Sequence, residues 1–470
     1  RRGERQKKPG GHGAAAAAVP ALSANDSIAA IVQLLGLVAG AHTLVLILDD
    51  WQWADDASRQ TLHTLLAQPG RALLVVLVAR SGELDDEAVL RRARALPLEP
   101  LDQSASETAV AAWLPEADPF LLHEIVRRCG GSPLFIEELC QSVAAGGDVA
   151  APPSTKGVAW IDALVASRLE RLPSAVAELL QLASVIGNVV ALELLQRVAG
   201  PGAPALPQLL HEQDLLVGAA QADTLRFKHA LSREAVYATV EPTQRRAWHL
   251  RVAQTLEAAA VEHDAVDSLE ALSYHYGAAQ RSEQTAHFAV AAGDKAFAAS
   301  ALDRARAHYL TALRALDALP LLSPAKQLQW CAIAQKLGSA CVFDPLDLAE
   351  CSRLFARAVD LARASADIDA IARAEYWMAY VSYSRGRPRA AVRHSEAALE
   401  HALAGGDARL VAQLRATLGQ ALVSAGRYER ALPLLHEAVQ SKRQQSHPGS
   451  STAIGSAYSL ARLAYGWGDL

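Results

Sequence analysis

The sequence contains 470 residues, of which 51% are hydrophobic but only 5% aromatic, and it carries a formal net charge of −5. This length suffices for two or three domains that each bury a core, and apolar residues that are mainly Ala, Leu and Val favour closely packed helices. The small negative charge gives no reason to expect nucleic acid or an anionic membrane as a partner. No run of about 18 apolar residues and no signal-peptide core is present, so we predict a cytoplasmic protein without a membrane span.

The cysteines predict neither a disulfide framework nor a zinc site, because they number five and lack paired spacing. Cys331, Cys341 and Cys351 lie ten residues apart in helical sequence. We expect them to be small core residues.

An α/β unit is predicted near the start of the chain. Residues 1–24 are rich in Gly, Ala and charge and lack an initiator Met, so we expect a disordered edge inside a longer protein. A short amphipathic helix is predicted over 28–38. The apolar run Leu44 to Leu48 predicts a strand buried on both faces of a parallel sheet. A helix over 57–68 and a second apolar run over 73–79 complete a strand–helix–strand unit.

Helices and a hairpin are predicted next. Two helices, at 121–129 and 134–143, are separated by the string GGSP, which has the order of a helix stop, a cap and a first-turn proline. A linker is predicted over 145–157. Three amphipathic stretches and two short strand candidates between 158 and 240 then predict a winged helix.

The part after Thr243 is almost wholly helical and contains an internal repeat. The string GRPRAA, which begins at Gly386, recurs forty residues later as GRYERA from Gly426, and a third break follows at Gly466. Glycine permits a positive-φ turn between antiparallel helices, and the alanines after it allow the helices to approach closely. This pattern resembles tetratricopeptide repeats; the alternative is an irregular helical array without a superhelix.

The strongest chemical signal is a pair of carboxylates after the first predicted strand. In the string LVLILDDWQWADD, Asp49 and Asp50 follow directly on the apolar run. A carboxylate at the tip of a buried strand can hold nucleotide-bound Mg²⁺, and a second one can orient water for attack on a γ-phosphate. Taken alone, the pair fits a helix cap or a solvated loop equally well. Trp51 and Trp53 are expected to be packing anchors.

This string resembles the Walker B region of STAND-type (AAA+-like) signalling ATPases, particularly those of bacterial LuxR-type regulators and multidomain adenylate/guanylate cyclases. The resemblance implies that Asp49 binds Mg²⁺, that Asp50 is catalytic, and that Arg80 is the catalytic sensor-1 arginine. It further implies that Gly131 and Pro133, within the string GGSPL, form the Gly-x-Pro motif on the adenine side of the nucleotide.

A third motif, FKHALSRE, resembles the Phe-Arg-His-x-Leu-x-Arg-Glu segment of the same family and implies that His229 lies near the ADP phosphates. The cofactors implied are ATP or ADP with Mg²⁺. Each residue also has a purely structural interpretation. Arg80 would pair with Glu83 or Asp85, Pro133 would only begin a helix, and His229 would be a partly buried histidine of the wing.

One part of the family pattern is missing from the sequence. A P-loop requires Gly-x4-Gly-Lys-Ser/Thr, and the chain contains no Gly-Lys dipeptide. Only 48 residues precede Asp49, whereas the family's P-loop lies well upstream. Truncation and degeneration to a pseudo-ATPase are the two explanations. In either case we expect the chain as given to be inactive as an ATPase.

We therefore predict an α/β parallel-sheet nucleotide-binding fragment, a winged-helix-like segment and an all-α solenoid. The predicted boundaries are a partial ATPase domain with a small helical part at 25–150, a winged-helix-like domain at 151–242 and tetratricopeptide-like repeats at 243–470.

The resemblance implies a regulatory ATP-binding module that switches between a closed monomer and an open, self-associating form. A protein partner or effector would bind the repeats, and nucleic acid would be bound only through an output domain that this sequence does not contain. That output would be a nucleotide cyclase or a DNA-binding helix-turn-helix. The alternative is a non-enzymatic repeat scaffold with a degenerate ATPase domain.

Overall fold

The computed structural model describes residues 24–39, 43–68, 72–80, 83, 86–144, 158–200, 215–218, 223–263, 268–299, 301–341 and 348–444. The chain forms two compact units, one of Arg1–Arg91 with Asp294–Arg304 and the other of Arg92–Gly293 with Ala305–Leu470. Residues 1–23 of the predicted edge, the linker at 145–157 and the break at Gly466 lie outside the described residues.

The first unit contains the predicted strand–helix–strand arrangement. Its elements are α1 (Ala24–Ala39), β1 (Leu44–Leu48), a 3-10 turn (Trp51–Trp53), α2 (Asp56–Leu66), β2 (Leu73–Leu77) and α3 (Glu87–Leu90). The two strands pair in parallel with Leu44 opposite Leu73 and Leu48 opposite Leu77. Helix α2 begins after Asp55, whose carboxylate accepts a hydrogen bond from the backbone N–H of Ser58 at 2.8 Å. Such an N-cap satisfies one of the unpaired amides at a helix start.

The prediction that these strands are buried on both faces is wrong for the described part of the unit. Side chains alternate along each strand, and the exposed ones are opposite one another: Val45 opposite Leu74, and Ile47 opposite Val76. Helices α1 and α2 supply the apolar residues that cover the other face. Because successive strand residues point to opposite faces, a pair of strands with helices on one side buries only every second residue.

The second unit begins with helices that pack together around Val110, Ile125 and Ile136. These helices are α4 (Gln103–Trp113), α5 (Pro119–Cys129) and α6 (Pro133–Ala144). The carboxylate of Asp118 caps α5 by accepting hydrogen bonds from Phe120 N at 2.9 Å and Leu121 N at 3.0 Å.

A winged-helix-like segment follows within the same unit. Its elements are α7 (Val158–Glu170), α8 (Ser174–Ile186), β3 (Val189–Ala191), α9 (Leu192–Ala199), β4 (Leu216–Gly218), β5 (Thr224–Phe227) and α10 (Ala230–Ala238). The strands form an antiparallel sheet in the order β3–β5–β4. The sequence predicted the β4–β5 hairpin but not β3, because a three-residue strand is too short to show an alternating pattern. The shared core includes Leu180, Leu216 and Phe227, each fully buried.

The remaining described residues are mainly helical. The helices are α11 (Pro242–His263), α12 (Leu269–Ala278), α13 (Ser282–Ala298), α14 (Leu302–Asp317), α15 (Pro324–Ala340), α16 (Leu348–Ala364), α17 (Ile368–Ser384), α18 (Pro388–Gly405), α19 (Ala408–Ser424) and α20 (Tyr428–Gln444). From α15 to α20 each helix packs against the next along the chain. This arrangement agrees with the predicted helical repeats.

The predicted glycine turns are confirmed. Gly386 and Gly426 have φ values of 67° and 70°, and each lies between two helices. The residue after each glycine donates its N–H back into the preceding helix, from Arg387 to Ser382 O at 2.9 Å and from the equivalent residue to Leu422 O at 2.8 Å. These are the hydrogen bonds of a Schellman-type helix end, which requires a left-handed residue.

One alanine after each turn is completely buried, Ala391 in the first and Ala431 in the second, as close approach of the helices requires. Cys331, Cys341 and Cys351 are buried free thiols, as expected for small core residues. Among the described residues, no helix is both long and apolar enough to cross a membrane.

Candidate functional site

Asp49 and Asp50 lie at the carboxyl end of β1, on the solvent-exposed edge of the parallel pair. Asp50 adopts a left-handed conformation with φ 53° and donates its N–H to Oδ1 of Asp49 at 2.9 Å. The chain after β1 is fastened to the extension of β2, because Trp51 N donates to Val78 O and Val78 N donates to Leu48 O, each at 2.9 Å. Two exposed carboxylates are therefore held at a defined strand end.

Arg80 is joined to this edge through the amide side chain of Gln52. Nε2 of Gln52 donates to Oδ1 of Asp50 at 2.8 Å, and the backbone N–H of Arg80 donates to Oε1 of Gln52 at 3.4 Å. The guanidinium carbon of Arg80 lies 5.9 Å from the ring centroid of Trp53. The structure thus brings Asp49, Asp50 and Arg80 together at one edge of the sheet, as the sequence predicted.

The two tryptophans of this loop differ in role. Trp51 is a packing anchor, as expected, with 5% of its surface exposed. The same expectation is wrong for Trp53, which is 72% exposed and faces Arg80. A ring on which a guanidinium rests is a typical cation–π arrangement, and it explains why an exposed indole has a defined neighbour.

Sequence reasoning missed Gln52 because its role depends on the distance between two strand ends.

The Gly130–Pro133 segment in the second unit is shaped by a close backbone contact. Gly130 and Gly131 have φ values of 56° and 77°. The backbone N–H of Leu101 donates to Gly131 O at 2.8 Å, and a Cβ at Gly131 would lie only 2.3 Å from Leu101 O. Pro133 follows as the exposed first residue of α6. The conformation of this turn therefore requires glycine at 131 for steric reasons.

Residues of the FKHALSRE motif contact helix α6 one turn beyond Pro133. Lys228 forms an ion pair with Oε1 of Glu137, and Nε2 of His229 lies 3.4 Å from Oε2 of the same carboxylate. His229 is the residue immediately before α10 and has an extended conformation. Helix α6, which begins at Pro133, thus brings the second and third sequence motifs together.

A deeper set of contacts fixes the same interface. Glu138, with 5% of its side chain exposed, accepts a hydrogen bond from Ser232 Oγ at 2.9 Å and lies 3.5 Å from Nη1 of Arg168. Arg233 donates from Nε to the backbone oxygen of Ser184 at 3.0 Å. Buried polar groups that are satisfied in this way hold two elements in one arrangement. Sequence reasoning missed Glu137 and Glu138, because Lys228 and Ser232, with which they pair, lie more than 90 residues away along the chain.

The predicted site residues therefore fall into two groups. Asp49, Asp50 and Arg80 belong to the first unit, whereas Gly131, Pro133 and His229 belong to the second. The prediction that both groups line one nucleotide cleft stays a prediction. Within the described residues, no cluster of three or more His, Cys, Asp or Glu side chains has metal-binding geometry.

The comparison with protein families gives a match in the first part of the chain. Residues 3–78 match the model of the AAA ATPase domain family. The match includes both parallel strands, the carboxylates after β1 and most of the stretch that was expected to be disordered. The predicted resemblance to AAA-type ATPases is confirmed for this segment.

Individual proteins resemble the chain at low sequence identity. An uncharacterized protein of Rhizobium meliloti (strain 1021) is 26% identical over 299 residues, which cover 59% of this chain and 28% of that protein. The chain thus spans about 28% of the length of this curated relative.

Two solved structures also resemble the chain. A Signal Transduction ATPase with Numerous Domains (STAND) protein with a tetratricopeptide repeat sensor from Pyrococcus horikoshii is 13% identical, with a TM-score of 0.38 over 94% of this chain and 73% of that one. BtubC from P. vanneervenii is 17% identical, with a TM-score of 0.31 over 49% of this chain and 85% of that one.

Proposed function

We propose that this chain is a regulatory ATP-binding module, in which exchange of ATP and ADP at the AAA-type segment changes how the helical repeats meet a protein partner or effector. The observation that carries this proposal is the edge formed by Asp49, Asp50 and Arg80. The two carboxylates lie within the segment that matches the AAA ATPase domain family, residues 3–78, and Arg80 follows just after it. Ligands of parallel α/β sheets bind at the carboxyl ends of the strands.

The side chains at this edge suit a magnesium nucleotide. Asp49 would supply a carboxylate oxygen to Mg²⁺, which prefers oxygen ligands and retains several waters. Asp50 would orient the water that attacks the γ-phosphate. Arg80 would stabilise the negative charge that develops on the transferred group. Gln52 would keep the carboxylate and the arginine backbone in register through its two hydrogen bonds.

Pro133 and His229, in the second unit, are further nucleotide-binding candidates that the resemblance implies. The exposed ring of Pro133 would contact the base, and His229 would approach the phosphates. Nucleotide contacts of these residues would couple the nucleotide to the repeats that continue the second unit. The same coupling would control self-association in the ATP-bound form, and an attached cyclase or DNA-binding domain would be the output.

The absence of a Gly-Lys dipeptide sets the expected affinity of the chain as given. Backbone amides and a lysine normally neutralise the triphosphate. Where these groups are missing, two negatively charged carboxylates repel the negatively charged nucleotide. We expect the 470-residue chain to bind Mg-ATP weakly and to hydrolyse it below detection.

The test compares Asp49→Asn and Asp50→Asn in the full-length gene product, with Asp118→Asn as a matched control. Asp118 is likewise an exposed aspartate that accepts backbone hydrogen bonds, but it caps helix α5. Asp49→Asn should weaken Mg²⁺-dependent ATP binding, and Asp50→Asn should preserve binding while abolishing hydrolysis. Asp118→Asn should change neither.

The second candidate is a non-enzymatic repeat scaffold, and the missing Gly-Lys pair is the observation in its favour. If the full-length product binds no ATP, the scaffold is the correct function and the nucleotide switch is rejected. If it binds ATP equally well with Asp49→Asn, the Mg²⁺ role of Asp49 is rejected.

A further inference from the structure

The first unit contains an apolar cavity of about 360 Å³ between helices α1 and α2 and the helix-covered face of β1. Aliphatic side chains of these three elements form most of its wall, among them Ile28, Leu46 and Leu65. Every described residue of the wall belongs to the first unit, including one from the segment Asp294–Arg304. Ile31, at the wall, is 46% exposed, so the cavity can be reached from solvent.

The wall includes a buried polar group that has no partner. Trp51 lines the cavity and is 5% exposed. Its indole Nε1 is buried and forms no hydrogen bond within the part of the chain that the structure describes. A buried N–H donor without an acceptor is rare in folded proteins, because the group has lost water and gained nothing in return. A ligand in the cavity that carries an acceptor would satisfy this donor.

Two further polar side chains of the wall are engaged in the protein itself. The hydroxyl of Thr61 donates to the backbone oxygen of Ala57 at 2.7 Å. The carboxylate of Asp55 accepts from the backbone N–H of Ser58 at 2.8 Å and lies 3.6 Å from Nη1 of Arg304. Among the described residues of the wall, Asp55 is the only charged one. A carboxylate at the wall disfavours an anionic ligand, so the cavity suits a neutral molecule.

The volume of the cavity sets the size of its ligand. An apolar cavity of about 150 Å³ holds one benzene ring. A volume of about 360 Å³ therefore accommodates a molecule with two rings. Small-molecule sites typically combine such an apolar wall with a few polar groups that fix the orientation of the ligand.

We propose that this cavity binds a neutral, apolar molecule of bicyclic size that carries a hydrogen-bond acceptor, and that Nε1 of Trp51 donates to this acceptor. Trp51 directly follows Asp50, and its backbone N–H donates to Val78 O at 2.9 Å. The ligand would thus contact the loop that carries the two carboxylates. This site goes beyond the proposed function, because it adds a small-molecule effector to the first unit.

Equilibrium dialysis of the purified chain against 2-acetylnaphthalene tests the proposal. Its isostere is 2-isopropenylnaphthalene, in which a CH₂ group replaces the carbonyl oxygen. The wild type should bind the ketone saturably, with one molecule per chain. Trp51→Phe removes the donor and keeps an aromatic ring, so the ratio of ketone affinity to hydrocarbon affinity should be about fivefold larger in the wild type than in this variant.

The matched control for the donor is Trp53→Phe, at the exposed tryptophan of the same loop, which does not line the cavity. It should keep the affinity ratio of the wild type. An equal ratio in the wild type and in Trp51→Phe would overturn the proposal. So would the absence of saturable binding up to the solubility limit of the ketone.

A second pair of variants locates the bound ketone. Ala57→Phe fills the cavity from α2 and should abolish binding, whereas Ala30→Phe, at an exposed alanine of α1 outside the wall, should bind like the wild type. Undiminished binding by Ala57→Phe would place the ketone elsewhere and reject the site. If Ala57→Phe shows no cooperative melting, the affinity ratio in Trp51→Phe decides. No measurement here uses a nucleotide, so its failure leaves the test at Asp49 and Asp50 intact, and the reverse also holds.

Discussion

Acid should destabilise the junction between the winged-helix-like segment and the first long helix of the repeats. His249 and His275 are both buried there, with their Nδ1 atoms 2.8 Å apart. Nε2 of His249 also lies 2.9 Å from the hydroxyl oxygen of Tyr237. Burial, followed by the charges of Arg233 and Arg245, lowers the pKa of His249 to about 4.

The second histidine is perturbed further. Burial, followed by the charges of His249 and Arg233, lowers the pKa of His275 to about 3, although a hydrogen bond to the backbone of Ile186 acts in the opposite direction. Both folded-state pKa values lie below the unfolded value of about 6.5, so each histidine takes up a proton on unfolding. Stability is therefore complete above about pH 6.5 and declines as the pH falls toward the folded-state values.

The size of the effect follows from proton linkage. When the pH falls from about 7.5 to about 5, each histidine that remains neutral in the folded state lowers the unfolding free energy by about 2 kcal/mol. The pair together lowers it by about 4 kcal/mol. This is a large part of the roughly 5–15 kcal/mol that stabilises a typical domain.

Hydrogen–deuterium exchange over peptides from α11 and α12 measures this loss locally. On acidification the unfolding free energy of His249→Gln should fall by about 2 kcal/mol less than that of the wild type, because one titrating group is removed while a polar side chain remains. His287→Gln, at an exposed histidine, should behave like the wild type. Equal acid sensitivity in the wild type and in His249→Gln would refute the linkage argument.

Two glycine substitutions test the close contacts of the second unit. Gly131→Ala should lower the unfolding free energy by about 2–4 kcal/mol, because its Cβ would lie 2.3 Å from Leu101 O at a positive φ. Gly130→Ala meets nothing within 4 Å and should cost about 1 kcal/mol for its left-handed backbone, so similar melting temperatures for the two variants would contradict the steric explanation. Gly338→Ala should destabilise the repeats by about 1–3 kcal/mol in urea unfolding, because a Cβ there would lie 2.6 Å from the ring of Trp377. An unchanged urea midpoint would mean that the ring moves aside without cost.

Local pattern was sufficient to predict much of the fold. Apolar runs located β1 and β2, and their short connection through a helix predicted the parallel pairing that Leu44 and Leu73 begin. The recurring string at Gly386 and Gly426 located two helix ends, because positive φ is a local requirement that glycine meets. These features depend on neighbours in sequence.

Features that depend on distant residues were not predictable in the same way. The uncovered face of the β1–β2 pair depends on which helices pack against it, and apolar strand residues give no information on that. Glu137 meets Lys228 across 91 residues, and His249 meets His275 across 26. A charged or titratable residue has many possible partners in a sequence, and only the packing of helices selects one.

The helix pairs joined at Gly386 and Gly426 also determine how the repeats should respond to a destabilising substitution. From α15 to α20, each helix packs mainly on the helices next to it along the chain. Stability in such an array is approximately a sum of repeat and nearest-neighbour terms, and folding can start in any pair and spread in both directions. Contacts between residues that lie close together in the sequence also favour rapid folding. A destabilising substitution in one helix pair should therefore unfold that pair and its neighbours, while the distant end of the array stays folded.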